Sequence, residues 1–396
     1  MSKRYDGFPD GNHANSQNGQ NSYNQNFYQN NPNFNNGYPG GGYPPYNQPP
    51  RKGKKKKSKT RRIVLFVLEV LVLLLLAGGL FIGAKFGKLN TKSLDTSNII
   101  INPGVSSEDG SSKLSGYRNI ALFGVDSRTG DLESGTNSDT IMIASINNDT
   151  KEIKLVSVYR DTYLDTTLGY YTKATEVYGA GGAQAAVNML NKNLDLDIVD
   201  YVTVDFNAVA AAVDAVGGID LTIEEDEVGF LNDYLVETSQ VLGIDSYENI
   251  PGPGTYHVDG LHALAYCRIR YTDGNDFKRT ERQRTVLMKV MEAAKSAGIL
   301  QLNALIDELF PMVYTSLSAT EILGLAKDAL SYTIGETKGF PFNLANYDAD
   351  KSYVAPVNLA QNVSELHAFL FNDTDYIPSD TVQEISNNII YETGLQ

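Results

Sequence analysis

Five arginines and a glutamine crowd into the stretch LAYCRIRYTDGNDFKRTERQRTVLMKVM, residues 264–291, and four of the five, Arg268, Arg270, Arg279 and Arg282, fall on converging faces. A guanidinium is a rigid fork of donors that matches carboxylate or phosphate oxygens in pairs. The first part of the stretch alternates. The alternation predicts a strand with Ala265, Cys267, Ile269 and Tyr271 on one face and Leu264, Tyr266, Arg268 and Arg270 on the other. A turn follows at Thr272–Asn275, and then a helix whose apolar stripe is Val286, Leu287, Val290, Met291 and Ala294. Run back by three and four residues, that stripe lands on Arg282, Gln283 and Arg279. For any single arginine a structural carboxylate is the simpler partner, and Asp273, Asp276 and Glu281 are close in sequence. Local acids cannot neutralise all four, however, and a phosphate or pyrophosphate is the anion that such a cluster fits.

The elements that must position this chemistry lie upstream. NIALFGV, Asn119–Val125, is a short apolar run of buried-strand type that ends in Asp126, Ser127 and Arg128. Asn137–Thr140 leads into a second strand, Ile141–Ile146. A third, Ile153–Val158, ends in Arg160 and Asp161. Charged residues at the ends of buried strands stand where α/β proteins collect their active sites. Asp126 and Asp139 are hard oxygen ligands of the kind Mg²⁺ takes, together with phosphate oxygens and water; taken alone, they read more simply as turn or cap acids. With the arginines they form a constellation suited to a metal-bound pyrophosphate whose charge is neutralised as a phosphoryl group moves. Two glycines precede a predicted helix at Ala183–Leu190. No GK[ST] follows, so this is not a nucleotide-binding P-loop, although a helix N-terminus can still help hold an anion.

Further on, Tyr201–Phe206 reads as a strand, Asn207 as the cap of a helix at Ala208–Val216, and Ile219–Ile223 as another strand. Glu224–Glu227 reads as a solvated acidic face. Leu231–Tyr247 packs over the sheet, and its apolar residues serve either a plain core or a lipid groove. Helices are expected at Leu300–Phe310 and Ala319–Tyr332, the second capped by Ser318. A strand near Gly339–Phe342 and a helix at Asn362–Phe371 complete the domain, and residues 376–396 read as a tail.

Composition bounds the context. The single cysteine, Cys267, excludes an intramolecular disulfide framework and any cysteine-based zinc site, and it reads as a small buried hydrophobe. His13, His257, His262 and His367 show no paired-ligand spacing. Residues 1–50 are rich in Asn, Gln, Gly, Tyr and Pro, a composition that cannot bury enough apolar surface to order itself. The basic run RKGKKKKSKTRR, residues 51–62, stands directly before an apolar stretch, 63–84, long enough to cross a bilayer. Glu69 interrupts it at a depth where a charge is tolerated. The positive-inside rule puts residues 1–62 in the cytoplasm as a tail, and the absence of a small-residue cleavage site makes 63–84 an uncleaved anchor. Residues 1–62 hold 11 Lys and Arg against 2 Asp and Glu, a net +9; the rest holds 22 against 45, a net −23, which together give the −14 of the whole chain. The large external part is therefore acidic, and a nucleic-acid partner is excluded on location and on charge. Residues 85–116 read as an extracellular linker and 117–375 as one domain, with its core at 117–297.

These pieces resemble a known family. NIALFGVDSRTG, NSDTIMIASIN, SVYRDTY, VDAVGGIDL and above all LHALAYCRIRYTDGNDFKRTERQR, in this order, are similar to the motifs of the LytR-CpsA-Psr cell-wall glycopolymer ligases. The resemblance covers Tyr117–Ala297 strongly and extends weakly to about Asp373. It implies an α/β fold with a central mixed β-sheet and helices on both faces, in agreement with the strand–helix alternation. It also implies a phosphotransferase that takes a polyprenyl-pyrophosphate-linked glycopolymer as donor and peptidoglycan as acceptor, at the outer face of a Gram-positive type membrane. By resemblance, Asp126 and Asp139 carry Mg²⁺ (or Mn²⁺). Arg128, Arg160, Arg268, Arg270, Arg279 and Arg282 surround the pyrophosphate with help from Gln283, and Asp161 or Asp276 orients partners or acts as base beside Arg160. The lipid tail enters an apolar channel. Two positions depart from the family pattern: Tyr159 stands where Pro usually precedes the Arg-Asp pair, and Lys278 where Gly is common. The alternatives are a non-catalytic carrier-binding module, a pyrophosphatase that uses water, and a membrane-bound transcriptional attenuator. The absence of a helix-turn-helix pattern and the acidic external domain argue against the last.

Overall fold

The computed structural model describes residues 83–105, 113–127, 132–133, 135–270 and 275–396, with a few positions between 67 and 80. The N-terminal tail, most of the expected membrane span, Arg128 and residues 271–274, which hold most of the expected turn, lie outside the described residues. Among the described residues no helix is long and apolar enough to cross a membrane.

The strands, in chain order, are β1 (Asn90–Thr91), β2 (Tyr117–Val125), β3 (Ser138–Asn147), β4 (Glu152–Val158), β5 (Tyr163–Asp165), β6 (Tyr171–Lys173), β7 (Asp200–Asp205), β8 (Ile219–Ile223), β9 (Gly254–Val258), β10 (Val313–Thr315), β11 (Thr333–Phe340), β12 (Leu344–Asp348) and β13 (Ser352–Pro356). The helices are α1 (Ala174–Leu194), α2 (Phe206–Ala215), α3 (Glu225–Leu242), α4 (Gly260–Arg268), α5 (Asn275–Ser296), α6 (Ile299–Leu309), α7 (Ala319–Lys327), α8 (Leu359–Phe371) and α9 (Asp380–Thr393).

The main sheet runs in the order β1-β10-β7-β2-β3-β4-β11. Strand β2 is antiparallel to β3 and parallel to β7, and β4 is antiparallel to β3 and parallel to β11, so the sheet is mixed. Each central strand is apolar on both faces because both are covered. Ala121, Phe123, Ile143 and Val156 pack beneath α1, α8 and α9. Ile120, Ile146 and Leu155 pack beneath Leu287 and Met291 of α5 and Leu325 of α7. A further core joins the β8–β9 hairpin to α2, α3, α4 and α5 through Leu221, Leu231, Leu235, Leu261 and Val286. Helix α5 thus serves two cores, which is why its apolar stripe is broad.

Register puts the chemistry at one edge. Val125 stands opposite both Ser138 and Asp205, and Val158 opposite Ile141. The ends of β2, β4 and β7 and the start of β3 therefore share one edge of the sheet.

The structure corrects several expectations. Residues 260–268 form a helix, which takes in 264–268, the first part of the stretch where alternation predicts a strand. Asp259 caps it by accepting the His262 amide, and Leu261, Leu264 and Ala265 also satisfy helical spacing, with alanine and leucine favouring the helix. Gly260 lets α4 seat closely against α2, since a Cβ there would lie 2.2 Å from the Ala210 carbonyl oxygen. Asp205, and not Asn207, caps α2 by accepting the Ala208 amide at 2.8 Å. Helix α1 begins at Ala174 and bends at Gly181 and Gly182, and the φ of +64° at Gly182 suits glycine. Helix α7 ends at Lys327, and residues 333–340 extend the sheet. Residues 85–116 are partly built into the domain: Val105 and Leu114 join the core, and buried Asn102 donates to Asp195 at 2.6 Å. Residues 376–396 are no loose tail. Ser379 caps α9, whose Val382, Ile385 and Ile389 are buried.

Candidate active site

The loops at that edge bring most of the expected residues together. Asp126 follows β2 and is exposed, and Asp139 is the second residue of β3. Arg160 donates from Nη1 to Asp139 Oδ1 at 2.8 Å, and Arg270 donates from Nη2 to Asp139 Oδ2 at 3.3 Å. Asp276, in the first turn of α5, sits among three guanidinium groups: Arg279 Nη2 at 3.3 Å, Arg160 Nε at 3.9 Å and Arg270 Nε at 4.0 Å. Asp161 lies 3.7 Å from Arg160 Nε and 2.9 Å from Lys173 Nζ.

Asp126, Asp139, Arg268, Arg270, Arg279 and Gln283 line one cavity of about 240 Å³, with Phe206, Tyr234, Glu237 and Cys267. Arg268 closes α4; it donates to Glu237 Oε1 at 2.9 Å and Thr238 Oγ1 at 3.0 Å and stacks near the rings of Phe206 and Tyr234. The misread strand therefore does not remove Arg268 and Arg270 from the site. Helix α4 ends at Arg268, Ile269 is extended, and both side chains still reach the same cavity.

Carboxylates and guanidinium groups interleave here, so the site is not simply positive. What marks it is the set of buried polar atoms without hydrogen-bond partners: Nε of Arg160 and Arg279, Oδ1 of Asp276 and Oε1 of Gln283. Such groups are uncommon in folded proteins, and each asks for a partner. Arg279 is only 3% exposed. Burial pulls its pKa below the ordinary guanidinium value; Asp276 opposes this, while Arg270 and Arg160 add to it. Burial also works against the charge of Arg160, but Asp139, Asp161 and Asp276 outweigh it and hold that pKa above the ordinary value.

Arg282 departs from the expectation. It is buried against Glu227, donating from Nε to Oε1 at 2.7 Å and from Nη1 to the Ile269 carbonyl oxygen at 3.2 Å. Glu227, read as solvated, is 5% exposed, and its other oxygen accepts the Glu224 amide at the start of α3. The pair ties α5 to α3. A one-turn offset on the same helix thus gives Arg279 to the cavity and Arg282 to the fold.

Sequence reasoning also missed residues. Lys173, which holds Asp161, comes from a short hairpin with no periodic signal. Arg284 is buried, with Nε and Nη1 lacking hydrogen-bond partners and its pKa lowered by burial, yet it falls outside the stripe that selected its neighbours. Glu237 was legible only as one acid of an amphipathic helix.

Cys267 is buried as expected, and burial pushes its thiol up to about 12. A thiol in an unfolded chain titrates near ~8.5. The raised folded value contributes stability that is fully present below the unfolded pKa and is lost as pH rises toward about 12. Iodoacetamide at neutral to mildly alkaline pH should therefore leave the native chain unlabelled and label it rapidly in urea. Labelling at equal rates in both states would contradict this burial.

Among the described residues no group of three or more His, Cys, Asp or Glu could hold a metal ion on protein donors alone. Two carboxylates lining the same cavity, Asp126 and Asp139, do fit magnesium, which takes one or two carboxylates and completes its shell with phosphate oxygens and water. Asp139 is already shared between Arg160 and Arg270, so Asp126 is the freer donor.

The domain thus places interleaved arginines and aspartates at one edge of a mixed sheet. The LytR_cpsA_psr family model matches residues 87–366, and the chain belongs to this family. Biofilm regulatory protein A of Streptococcus mutans is 33% identical over 183 residues, covering 44% of this chain and 43% of that protein. The polyisoprenyl-teichoic acid–peptidoglycan teichoic acid transferase TagV of Bacillus subtilis is 28% identical over 257 residues, 61% of either chain. The chain thus spans between 43% and 61% of the length of these curated relatives. The crystal structure of B. subtilis TagT superposes with a TM-score of 0.53 at 22% identity, covering 72% of this chain and 100% of that one, and the two share the fold.

Proposed function

We propose that this chain is a phosphotransferase that moves a glycopolymer from a polyprenyl-pyrophosphate carrier onto peptidoglycan through a phosphodiester bond. The observation that carries the reading is the arginine–aspartate cluster, with the buried, unpartnered Nε donor of Arg279 beside its cavity. Family membership and the teichoic acid transferase activity for which the B. subtilis relative TagV is named supply the substrate class.

In this reading the pyrophosphate seats among Arg160, Arg268, Arg270 and Arg279, with Gln283 donating its amide; Arg128 belongs to the same set by sequence. A hydroxyl of peptidoglycan attacks the phosphorus that bears the saccharide. The bond from that phosphorus to the bridging oxygen breaks, and polyprenyl phosphate leaves. The guanidinium groups neutralise the charge that shifts onto the departing phosphate, preorganised by Asp139 and Asp276 before substrate arrives. Asp161 or Asp276 takes the proton of the attacking hydroxyl. Mg²⁺ (or Mn²⁺), held by Asp126 and Asp139, would supply charge neutralisation at the phosphate oxygens. Arg282 and Glu227 position α5 and do not touch substrate.

The basic run and apolar stretch at 51–84 would anchor the chain as a single-pass protein, with a cytoplasmic N-terminus and the domain outside, where the polyprenyl tail shares the bilayer.

The test separates an enzyme from a carrier-binding module. The full chain in detergent is assayed for polyprenyl-pyrophosphate binding and for saccharide transfer, beside an Asp126→Ala, Asp139→Ala double variant. Binding within a few-fold of wild type, with transfer lost by about 10²-fold or more, is expected. If the double variant transfers at the wild-type rate with a chelator present, the metal assignment fails.

A further inference from the structure

The β5–β6 and β12–β13 hairpins meet through their tyrosines. The Tyr163 ring lies 4.9 Å from that of Tyr353, 5.6 Å from Tyr347 and 5.7 Å from Tyr171, and Tyr347 and Tyr353 stack at 5.8 Å. Tyr163 and Tyr353 are buried, Tyr171 and Tyr347 are half-buried, and Tyr170 is 48% exposed. These rings line a cavity of about 320 Å³ together with Glu176, Asp350 and Lys351. That volume is at the small end of ligand pockets, roughly 300–1,000 Å³.

The polar groups are already oriented. Glu176 accepts from Lys351 Nζ at 2.6 and 2.9 Å and from Thr172 Oγ1 at 2.9 Å. Asp350 accepts from the Tyr353 hydroxyl at 2.7 Å. A pyranose ring presents C–H groups on its faces and hydroxyls around its edge. Electron-rich aromatic faces attract the first, and carboxylates and an ammonium group take the second. A quaternary ammonium ion also suits aromatic rings. Here, however, Lys351 sits on Glu176, and Lys173 Nζ lies 5.8 Å from the centre of the Tyr353 ring, so the cavity already holds its cations. A neutral polyhydroxyl ligand fits better.

The cavity also adjoins the arginine cluster. Lys173, beside the Tyr353 ring, bonds Asp161 at 2.9 Å, and Asp161 lies 3.7 Å from Arg160. Backbone pairing between Thr162 and Val354 fixes the two hairpins at this junction.

We propose that the tyrosine cavity is a saccharide subsite that takes a pyranose ring of the glycan being joined at the neighbouring arginine cluster. The inference deepens the transferase reading and rests on it for the identity of the glycan; binding itself is measured without transfer.

The full chain in detergent is titrated calorimetrically with two lipid-free probes. One is a peptidoglycan glycan fragment released by muramidase, and the other is the phosphate-free saccharide released from the wall by mild acid. Saturable binding of either supports the subsite, and which one binds tells acceptor from donor. The variant Tyr170→Ala, Tyr347→Ala should weaken that binding at least tenfold and leave polyprenyl-pyrophosphate binding unchanged. Tyr170 is exposed and Tyr347 half-buried, so the fold should tolerate both changes, and unchanged carrier binding verifies that it does. No saturable saccharide binding, equal binding by the variant, or selective binding of choline would overturn the proposal. Failure of the wild-type chain to bind polyprenyl pyrophosphate while it binds saccharide would sink the transferase reading and leave the subsite standing.

Discussion

Arg279→Met should abolish transfer, by about 10²–10³-fold, and yet leave the substrate-free chain at least as stable as wild type. The two halves of this result have one cause. Arg279 is buried, its Nε has no hydrogen-bond partner, and burial opposes its charge. An apolar side chain of similar length removes the cost of burying that cation, and the partner it leaves, Asp276, is 37% exposed and so is not stranded as a buried charge. Asp276 loses one partner but keeps Arg160 and Arg270 close by. A cation kept in such a place serves a substrate, so its removal costs activity and not stability. Urea denaturation and a transfer assay on the same sample check both halves. A variant that loses stability in step with activity would make Arg279 structural.

Arg282→Met should do the opposite. One turn further along α5, Arg282 has a buried carboxylate partner, and the substitution strands Glu227 at 5% exposure. Removing one member of a buried pair costs about 3–5 kcal/mol. The double variant Arg282→Met, Glu227→Gln should recover most of that loss, because the uncompensated charge is then gone as well. The residual penalty comes from the Glu224 amide and the Ile269 carbonyl, which lose part of their bonding. If the single variant unfolds at the wild-type urea concentration, the α3–α5 tie is not what holds these helices. The contrast between positions 279 and 282 is a double test, since both guanidinium groups sit on the same helix at the same burial.

That contrast also shows what the sequence could and could not convey. The apolar stripe of α5 is periodic, so the inward direction of Arg279, Arg282 and Gln283 was legible. Which inward arginine meets a ligand depends on what stands opposite. Glu227 stands opposite Arg282 from a different helix, α3, and its run of acids reads as solvent-facing. The strand ends carrying Asp126, Asp139 and Arg160 were legible because buried strands announce themselves by unbroken apolar runs and stop at charge. Residues 264–268 read as a strand because LHALAYCR satisfies both periods over so short a span, and the deciding signal was the Asp259 cap. Helix α9 carried its own signal, Val382, Ile385, Ser386 and Ile389 after Ser379, at helical spacing beyond a stretch that reads as trailing off. The tyrosine cavity was invisible in the sequence, because its walls come from two hairpins that only the fold brings together.

The central claim is tested most directly by the products. The full chain in detergent is incubated with a polyprenyl-pyrophosphate-linked saccharide, Mg²⁺ and peptidoglycan fragments, and the mixture is read by mass spectrometry. The account predicts a saccharide joined to the fragment through one phosphate, with polyprenyl phosphate released in equal amount. Saccharide phosphate free in solution with no adduct, or bound carrier lipid with no turnover, would contradict it.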